Sequence, residues 1–132
     1  MRAFTSSVVA VVLFSVLALF PKVTFAQDPV KLAPDIYNVL LENSRVRVLE
    51  IRLAPGGKTP MHSHPGFVIY VLSDGTVKFT YPSGKSEERE LKAGEAIWSD
   101  AVTNVGENVG TTDIHVLNIE LKPHKAAKHA AK

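Results

Sequence analysis

Short segments in which apolar and polar side chains alternate follow one another from residue 45 to residue 122, and Gly or Pro ends most of them. They lie at 45–53, 67–72, 77–81, 87–91, 96–98 and 113–122. No stretch after residue 44 shows the 3.6-residue apolar period of an amphipathic helix. The pattern predicts seven or eight strands and therefore an all-β fold, a single barrel or jelly roll.

Some of these segments allow finer predictions. The apolar phase slips between 45–48 and 49–53, which predicts a bulge or a barrel corner. The continuous apolar run 67–72 is typical of a strand buried on both faces, and 77–91 predicts a hairpin around Pro82-Ser83-Gly84. In 113–122, we expect the face that carries His115, Leu117, Ile119 and Leu121 to point into the barrel.

The N-terminus has the pattern of a secretory signal peptide. Arg2 precedes the apolar run 8–20, and Thr24 and Ala26 place small residues before Gln27. The run is shorter than the ~20 residues that span a bilayer comfortably, so an uncleaved anchor is the alternative. We expect residues 1–26 to be removed and the protein to be periplasmic or secreted, with no membrane contact afterwards.

The remaining chain divides into an N-terminal extension (27–44), a barrel (45–122) and a mobile basic tail (123–132). Without the leader, which carries Arg2 and Lys22, 13 basic residues balance 13 acidic ones. This neutral body lacks the basic patch of a nucleic-acid-binding domain. The chain has no Cys, which excludes disulfide frameworks, iron–sulfur sites and thiol catalysis.

His62 and His64 are the strongest chemical signal. At positions i and i+2 of a strand, both imidazoles lie on one face, about 7 Å apart along the chain. Imidazole binds divalent Fe, Mn, Ni and Zn to differing degrees. The alternative is two solvated histidines near a loop.

Two longer motifs surround this pair. In the first, Gly56 precedes His62-Ser63-His64 by five residues, and an apolar strand then runs to Gly75. The second begins at 91–98, Leu-Lys-Ala-Gly-Glu-Ala-Ile-Trp. Together they resemble the cupin motifs over residues 45–122. The chain is most similar to small single-domain cupins of the RmlC-like jelly-roll type, which include proteins assigned to beta-alanine degradation; the shared runs are 61–65, 71–74, Trp98 and 107–117.

This resemblance implies a barrel that is often dimeric and holds a metal ion or a small molecule in its mouth. The usual cupin site adds a Glu three or four residues after the second His, where this chain has Val68 and Ile69, and a third His, where it has Asn104. The resemblance therefore implies a metal site of His62 and His64, with Asn104 as a weak third ligand.

Several other side chains have both a structural and a functional interpretation. His115 could be a ligand, a partner of a ligand or a general base, or simply a buried histidine with one hydrogen bond. Glu107 is a candidate ligand or a solvated loop acid. His124 and His129 are expected to be solvated. Four aromatic residues are expected to form core or pocket wall: Tyr70, Phe79, Tyr81 and Trp98.

Three functions follow from these features. The first is a metal-dependent cupin that acts on a small polar metabolite, with the ion as Lewis acid or oxygen activator. The second is a non-catalytic cupin that binds a small ligand and has a degenerate metal site. The third is an interaction module. The fold hosts many chemistries, so it does not itself select one of them or decide whether the chain is an enzyme.

Overall fold

A computed structural model describes residues 27–123. The expected signal peptide (1–26) and the tail from residue 124 onwards, including His124 and His129, lie outside this range. Within it, one short helix precedes nine strands: α1 (Pro29–Leu32), β1 (Tyr37–Glu42), β2 (Val46–Leu53), β3 (His62–His64), β4 (Phe67–Val71), β5 (Gly75–Thr80), β6 (Ser86–Leu91), β7 (Ala96–Ser99), β8 (Val102–Asn108) and β9 (Ile114–Leu121).

The strands form two antiparallel sheets that enclose the core. One sheet has the order β1-β2-β9-β4-β7 and the other the order β3-β8-β5-β6. This confirms the predicted all-β cupin-type jelly roll. The predicted hairpin is β5–β6, whereas β8 was not predicted as a strand. None of the helical segments in residues 27–123 is long and apolar enough to cross a bilayer.

Strand β2 shows why the predicted bulge at the phase slip is wrong. It pairs with β9 without interruption from Val46 to Leu53. Leu49, Ile51 and Leu53 are buried in the core, but Arg47 shares their phase, and Val46 lies on the opposite face. The register shift lies instead in the neighbouring strand β1.

Strand β9 corrects the expected facing of His115. The buried residues are Ile114, Val116, Asn118 and Glu120, and the alternate positions are only partly buried. Apolar residues occur on both faces of β9, which lies between β2 and β4 in its sheet. Its outer side chains therefore pack laterally on those of both neighbours, so an apolar residue here does not mark the inside.

The N-terminal segment belongs to the folded unit. Asp28 caps α1 by accepting a hydrogen bond from the Val30 N–H. Strand β1 adds an edge to the larger sheet, and Tyr37 joins the core at 4% exposure. Strand β4, in contrast, is buried on one face only, because Tyr70 is 41% exposed on the other.

Candidate functional site

A cavity of about 360 Å³ lies between the sheets, at the small end of the range for ligand sites. Its wall is mostly apolar, and its polar interior residues are Tyr37, Thr59, His62, His64, Asn104 and Asn118. The three charged residues that line it are exposed and therefore lie at its rim: Glu87, Arg89 and Asp100.

His62 and His64 lie on the inner face of β3, and both are buried. Their Nε2 atoms are 2.9 Å apart and their rings are nearly perpendicular, at 88°. The structure therefore confirms that the two imidazoles share one face and point into a cavity.

Hydrogen bonds behind the two rings fix their tautomers. His62 Nδ1 lies 2.8 Å from the carbonyl oxygen of Pro60, and His64 Nδ1 lies 2.6 Å from Glu120 Oε1. A carbonyl and a carboxylate only accept, so each Nδ1 carries the proton and donates it. In the neutral rings, each Nε2 then carries a lone pair, and the two nitrogens are 2.9 Å apart.

Tyr37 is the hydrogen-bond donor to one of these two nitrogens. Its hydroxyl lies 2.9 Å from His62 Nε2 and donates a hydrogen bond to it. Burial raises the pKa of Tyr37, so it keeps its proton. Burial likewise lowers the pKa of His62 and outweighs the opposing hydrogen bond to Pro60, which favours the neutral ring.

A chain of charges runs behind His64. The carboxylate of Glu120, 2% exposed, accepts from His64 Nδ1 and from Arg47 Nε at 2.7 Å, and Arg47 also donates to both oxygens of Asp28 at 3.1 Å. Burial alone would raise the pKa of Glu120, but the bonds from His64 and Arg47 outweigh it and lower the pKa. Glu120 is therefore an ionised group that orients His64.

Two amides complete the polar part of the wall. Asn104 is the direct partner of His62 in the β3–β8 register and is buried beside it. Asn118 is 4% exposed, and its Oδ1 is the one fully buried side-chain oxygen or nitrogen without a hydrogen-bond partner in the described region. An unsatisfied buried oxygen is costly and often marks a site for a ligand or an ion.

These residues fit a metal ion in part. Two nitrogens bound at about 2.1 Å and at right angles to one ion are about 3 Å apart, close to the observed separation of the Nε2 atoms. Residues 27–123 contain no cluster of three or more His, Asp or Glu side chains that could hold an ion. Among the described residues, a further protein ligand would be a neutral oxygen of the cavity wall, such as the amide of Asn104 or the hydroxyl of Tyr37.

The structure separates the other sequence-predicted residues from this pair. His115 lies on the outer face of its sheet, where its Nε2 contacts Glu50 Oε1 at 2.8 Å, and it does not line the cavity. Tyr70 is also outside the cavity wall. Trp98 is at the rim, 56% exposed, and donates to Asp100. Glu107 lies on the outer phase of β8.

Sequence reasoning missed Glu120, Arg47 and Tyr37. The predicted inward face of 113–122 carries His115, which leaves Glu120 on the opposite face, and the alternation in 45–48 does not mark Arg47 as an inward residue. The one available signal for the ion pair was that Arg47 and Glu120 carry opposite charges and are direct partners in the register of two apolar strands. That signal is visible only once the register is known.

Comparisons with known proteins agree with the fold. Neither a family model nor a curated protein matches the chain. Among solved structures, the chain is 30% identical to a cupin domain from Bordetella pertussis Tohama I, with a TM-score of 0.62 over 67% of this chain and 93% of that one.

Two further structures share the architecture. A conserved protein from Klebsiella pneumoniae with a double-stranded β-helix domain is 23% identical, with a TM-score of 0.54 over 70% of this chain and 79% of that one. An RmlC-like cupin family protein from Methanocaldococcus jannaschii is 13% identical, with a TM-score of 0.54 over 66% and 79% of the two chains.

Proposed function

The chain belongs to the cupins, and we propose that it binds a divalent first-row metal ion on His62 and His64, in a cavity that also takes a small-molecule ligand. One observation carries the proposal: the Nε2 atoms lie 2.9 Å apart while both Nδ1 atoms are engaged elsewhere. Two lone pairs at this distance repel each other, and either a metal ion bound by both nitrogens or a proton on one of them relieves the repulsion; we assign that place to the metal ion.

Each residue of the site has a defined part. His62 and His64 would hold the ion, and the amide oxygen of Asn104 is the nearest neutral donor along the adjoining strand. When bound, such an ion supplies Lewis-acid polarisation of a ligand oxygen or activates a water molecule or oxygen. A bound ion would take the lone pair of His62 Nε2 that accepts from Tyr37, which would leave the Tyr37 hydroxyl as a donor for the ligand. The apolar wall excludes water from the ligand.

The alternative is a non-catalytic cupin that binds a ligand with an incomplete metal site. Residues 27–123 contain no group of three His, Asp or Glu side chains arranged to hold an ion, and the one acid beside the pair, Glu120, lies behind His64, which favours this alternative. A role in beta-alanine degradation, and export directed by residues 1–26, stay predictions. Export predicts a processed protein whose mass corresponds to a start at Gln27 when it is recovered from the periplasm or medium.

We also propose a homodimer formed through the outer face of the larger sheet. Adjoining outward positions on four strands of this face are apolar: Val46, Val48, Leu117, Ile119, Leu121, Val68, Tyr70 and Trp98. Three of these residues, Tyr70, Trp98 and Leu121, are exposed, and adjoining exposed apolar side chains are a feature of protein interfaces. A two-fold axis would bury the same patch on both copies. Near one end of the face, Glu50 pairs with Arg52 and with His115 of the same chain.

Metal analysis of the purified protein tests the site. We expect about one equivalent of Fe, Mn, Ni or Zn per chain, lost when His62 and His64 are both changed to Ala. The matched control is His115→Ala, which removes an imidazole from the outer face of the same molecule. All three proteins keep His124 and His129, so ions bound by the tail would be equal in each.

The outcome separates the candidate functions. Metal that is lost only from the His62→Ala/His64→Ala protein supports the proposal. Metal that is equally present in that protein and in the His115→Ala control contradicts it. A metal-free protein that still binds a small ligand establishes the non-catalytic alternative.

A further inference from the structure

We infer that the ligand of the cavity is a small organic anion with an apolar body: a carboxylate or enolate attached to an aromatic ring or a branched alkyl group. This inference rests on the proposed metal site and names the class of molecule that the site takes. It differs from the small polar metabolite that the sequence predicts. Two independent features of the cavity carry it.

The first feature is the charge of the donors. His62, His64 and Asn104 are neutral, and the nearest carboxylate, Glu120, lies behind His64 and does not line the cavity. Arg47, which also pairs with the partly exposed Asp28, offsets much of the charge of Glu120. A divalent ion on this donor set would keep its full charge in a region of low dielectric, where an unbalanced charge is costly. An anionic group on the ligand would supply the balance.

The second feature is the wall around the donors. Val77, Leu91, Ile97 and Val116 are each at most 8% exposed and line the cavity, and the partly buried Phe79 lies among them. A polar ligand body that lay against these five residues would lose its hydration without gaining hydrogen bonds, because the polar residues of the cavity are elsewhere in its wall, whereas an apolar body gains from burial. The rim carries two acids and one base, so the rim does not itself select an anion.

Three probes separate the two features. Phenylacetate has both the carboxylate and the apolar ring, 2-phenylethanol has a similar body without the charge, and beta-alanine has the carboxylate without the apolar body. Binding of each probe is measured by calorimetry on the metal-loaded full-length protein and on the same protein after chelation, with the metal content measured in parallel. We expect phenylacetate to bind the loaded protein at least ten-fold more tightly than either of the other two, and to lose this preference after chelation.

A variant pair tests the wall directly. Val77→Thr changes the shape of the side chain little but adds a hydroxyl to the cavity wall, and Val68→Thr makes the same change on the outer face of the larger sheet. We expect the first variant to weaken phenylacetate binding roughly ten-fold and the second to leave it unchanged. Both variants should keep the metal content of the parent protein.

The failures are distinguishable. A loaded protein that binds beta-alanine or 2-phenylethanol as tightly as phenylacetate overturns the ligand class and leaves the metal site standing. A protein that takes up no metal overturns the proposed function and, with it, this inference. Equal phenylacetate affinity in the two Val→Thr variants overturns the role of the apolar wall.

Discussion

Replacing Glu120 by Gln should show how far the site depends on one buried carboxylate. The side chain of Glu120 is 3% exposed and bonds to Arg47 Nε at 2.7 Å and to His64 Nδ1 at 2.6 Å. Gln has nearly the same shape but carries no charge. Breaking a buried ion pair from one side costs roughly 3–5 kcal/mol. Because Arg47 is 15% exposed and keeps Asp28, we expect about 3 kcal/mol.

The same change should weaken metal binding. His64 would lose the anionic acceptor that holds its Nδ1–H, and loss of such a partner typically costs about 10- to 100-fold in metal affinity. Urea denaturation of the chelated protein measures the stability, and a loss of about 3 kcal/mol would lower the midpoint by at least 1 M. Competition with a chelating dye measures the affinity for the metal ion.

Glu107→Gln is the matched control. Glu107 lies on the outer phase of β8, and its nearest cation is Lys58 Nζ, 4.0 Å away and itself 61% exposed. We expect this variant to lose less than about 0.5 kcal/mol and to bind metal as the parent does. Equal midpoints for the two Gln variants would refute the reasoning that Glu120 is a buried, charge-balanced partner of His64.

Three further predictions concern stability and assembly. Asp28→Asn keeps a good helix cap but loses its charge on Arg47. The pKa of Asp28 is lowered by Arg47 against the effect of burial. The variant should therefore be about 0.5 kcal/mol less stable to unfolding than the parent at pH 7, and this difference should vanish as the pH falls below the ordinary value of 3.8 and Asp28 becomes protonated. A difference that stays constant down to pH 2 would contradict this. Leu49→Ala removes a fully buried side chain and should cost about 2–5 kcal/mol in urea denaturation, whereas Leu40→Ala, at a position 53% exposed, should cost under 1 kcal/mol. Leu117→Lys should shift the mass from light scattering from dimer to monomer with the metal content unchanged; an unchanged dimer would exclude the outer face as the interface.

The sequence was sufficient to predict the fold and the central pair because both depend on local pattern. Alternation and turn residues mark strands wherever they lie, and the His62–His64 spacing puts both rings on one face of any strand. The remaining site residues depend on which face of each strand turns inward. In β9 both faces carry apolar side chains, so the pattern could not decide between His115 and Glu120.

Arg47 is a second residue whose inward position the local sequence pattern does not predict. A charged residue between two valines is normally an outward position, and an outward Arg47 would require the phase slip from which the sequence predicts a bulge or a barrel corner. The structure instead keeps β2 regular and turns Arg47 inward, because Glu120 is its direct partner in the register and Asp28 reaches it from the N-terminal segment. Long-range pairing of charges overrides the local pattern here.

The position of the one buried carboxylate near the histidines links the electrostatics of this site to its function. The chain lacks an acid at 68 and 69, where the cupin motif usually provides a metal ligand, and yet Glu120 still bonds to His64. An acid facing the cavity would neutralise a bound cation, whereas an acid behind the ring fixes the direction of the lone pair and leaves the charge of the cation to the ligand. Arg47 offsets much of the charge of Glu120 at a distance of 2.7 Å, and the charged residues that line the cavity lie at its rim, so the interior around the histidines is formed by neutral side chains. The anion selectivity that we infer would therefore come from the bound cation rather than from protein charges, and so it should vanish on chelation even though the apolar wall remains.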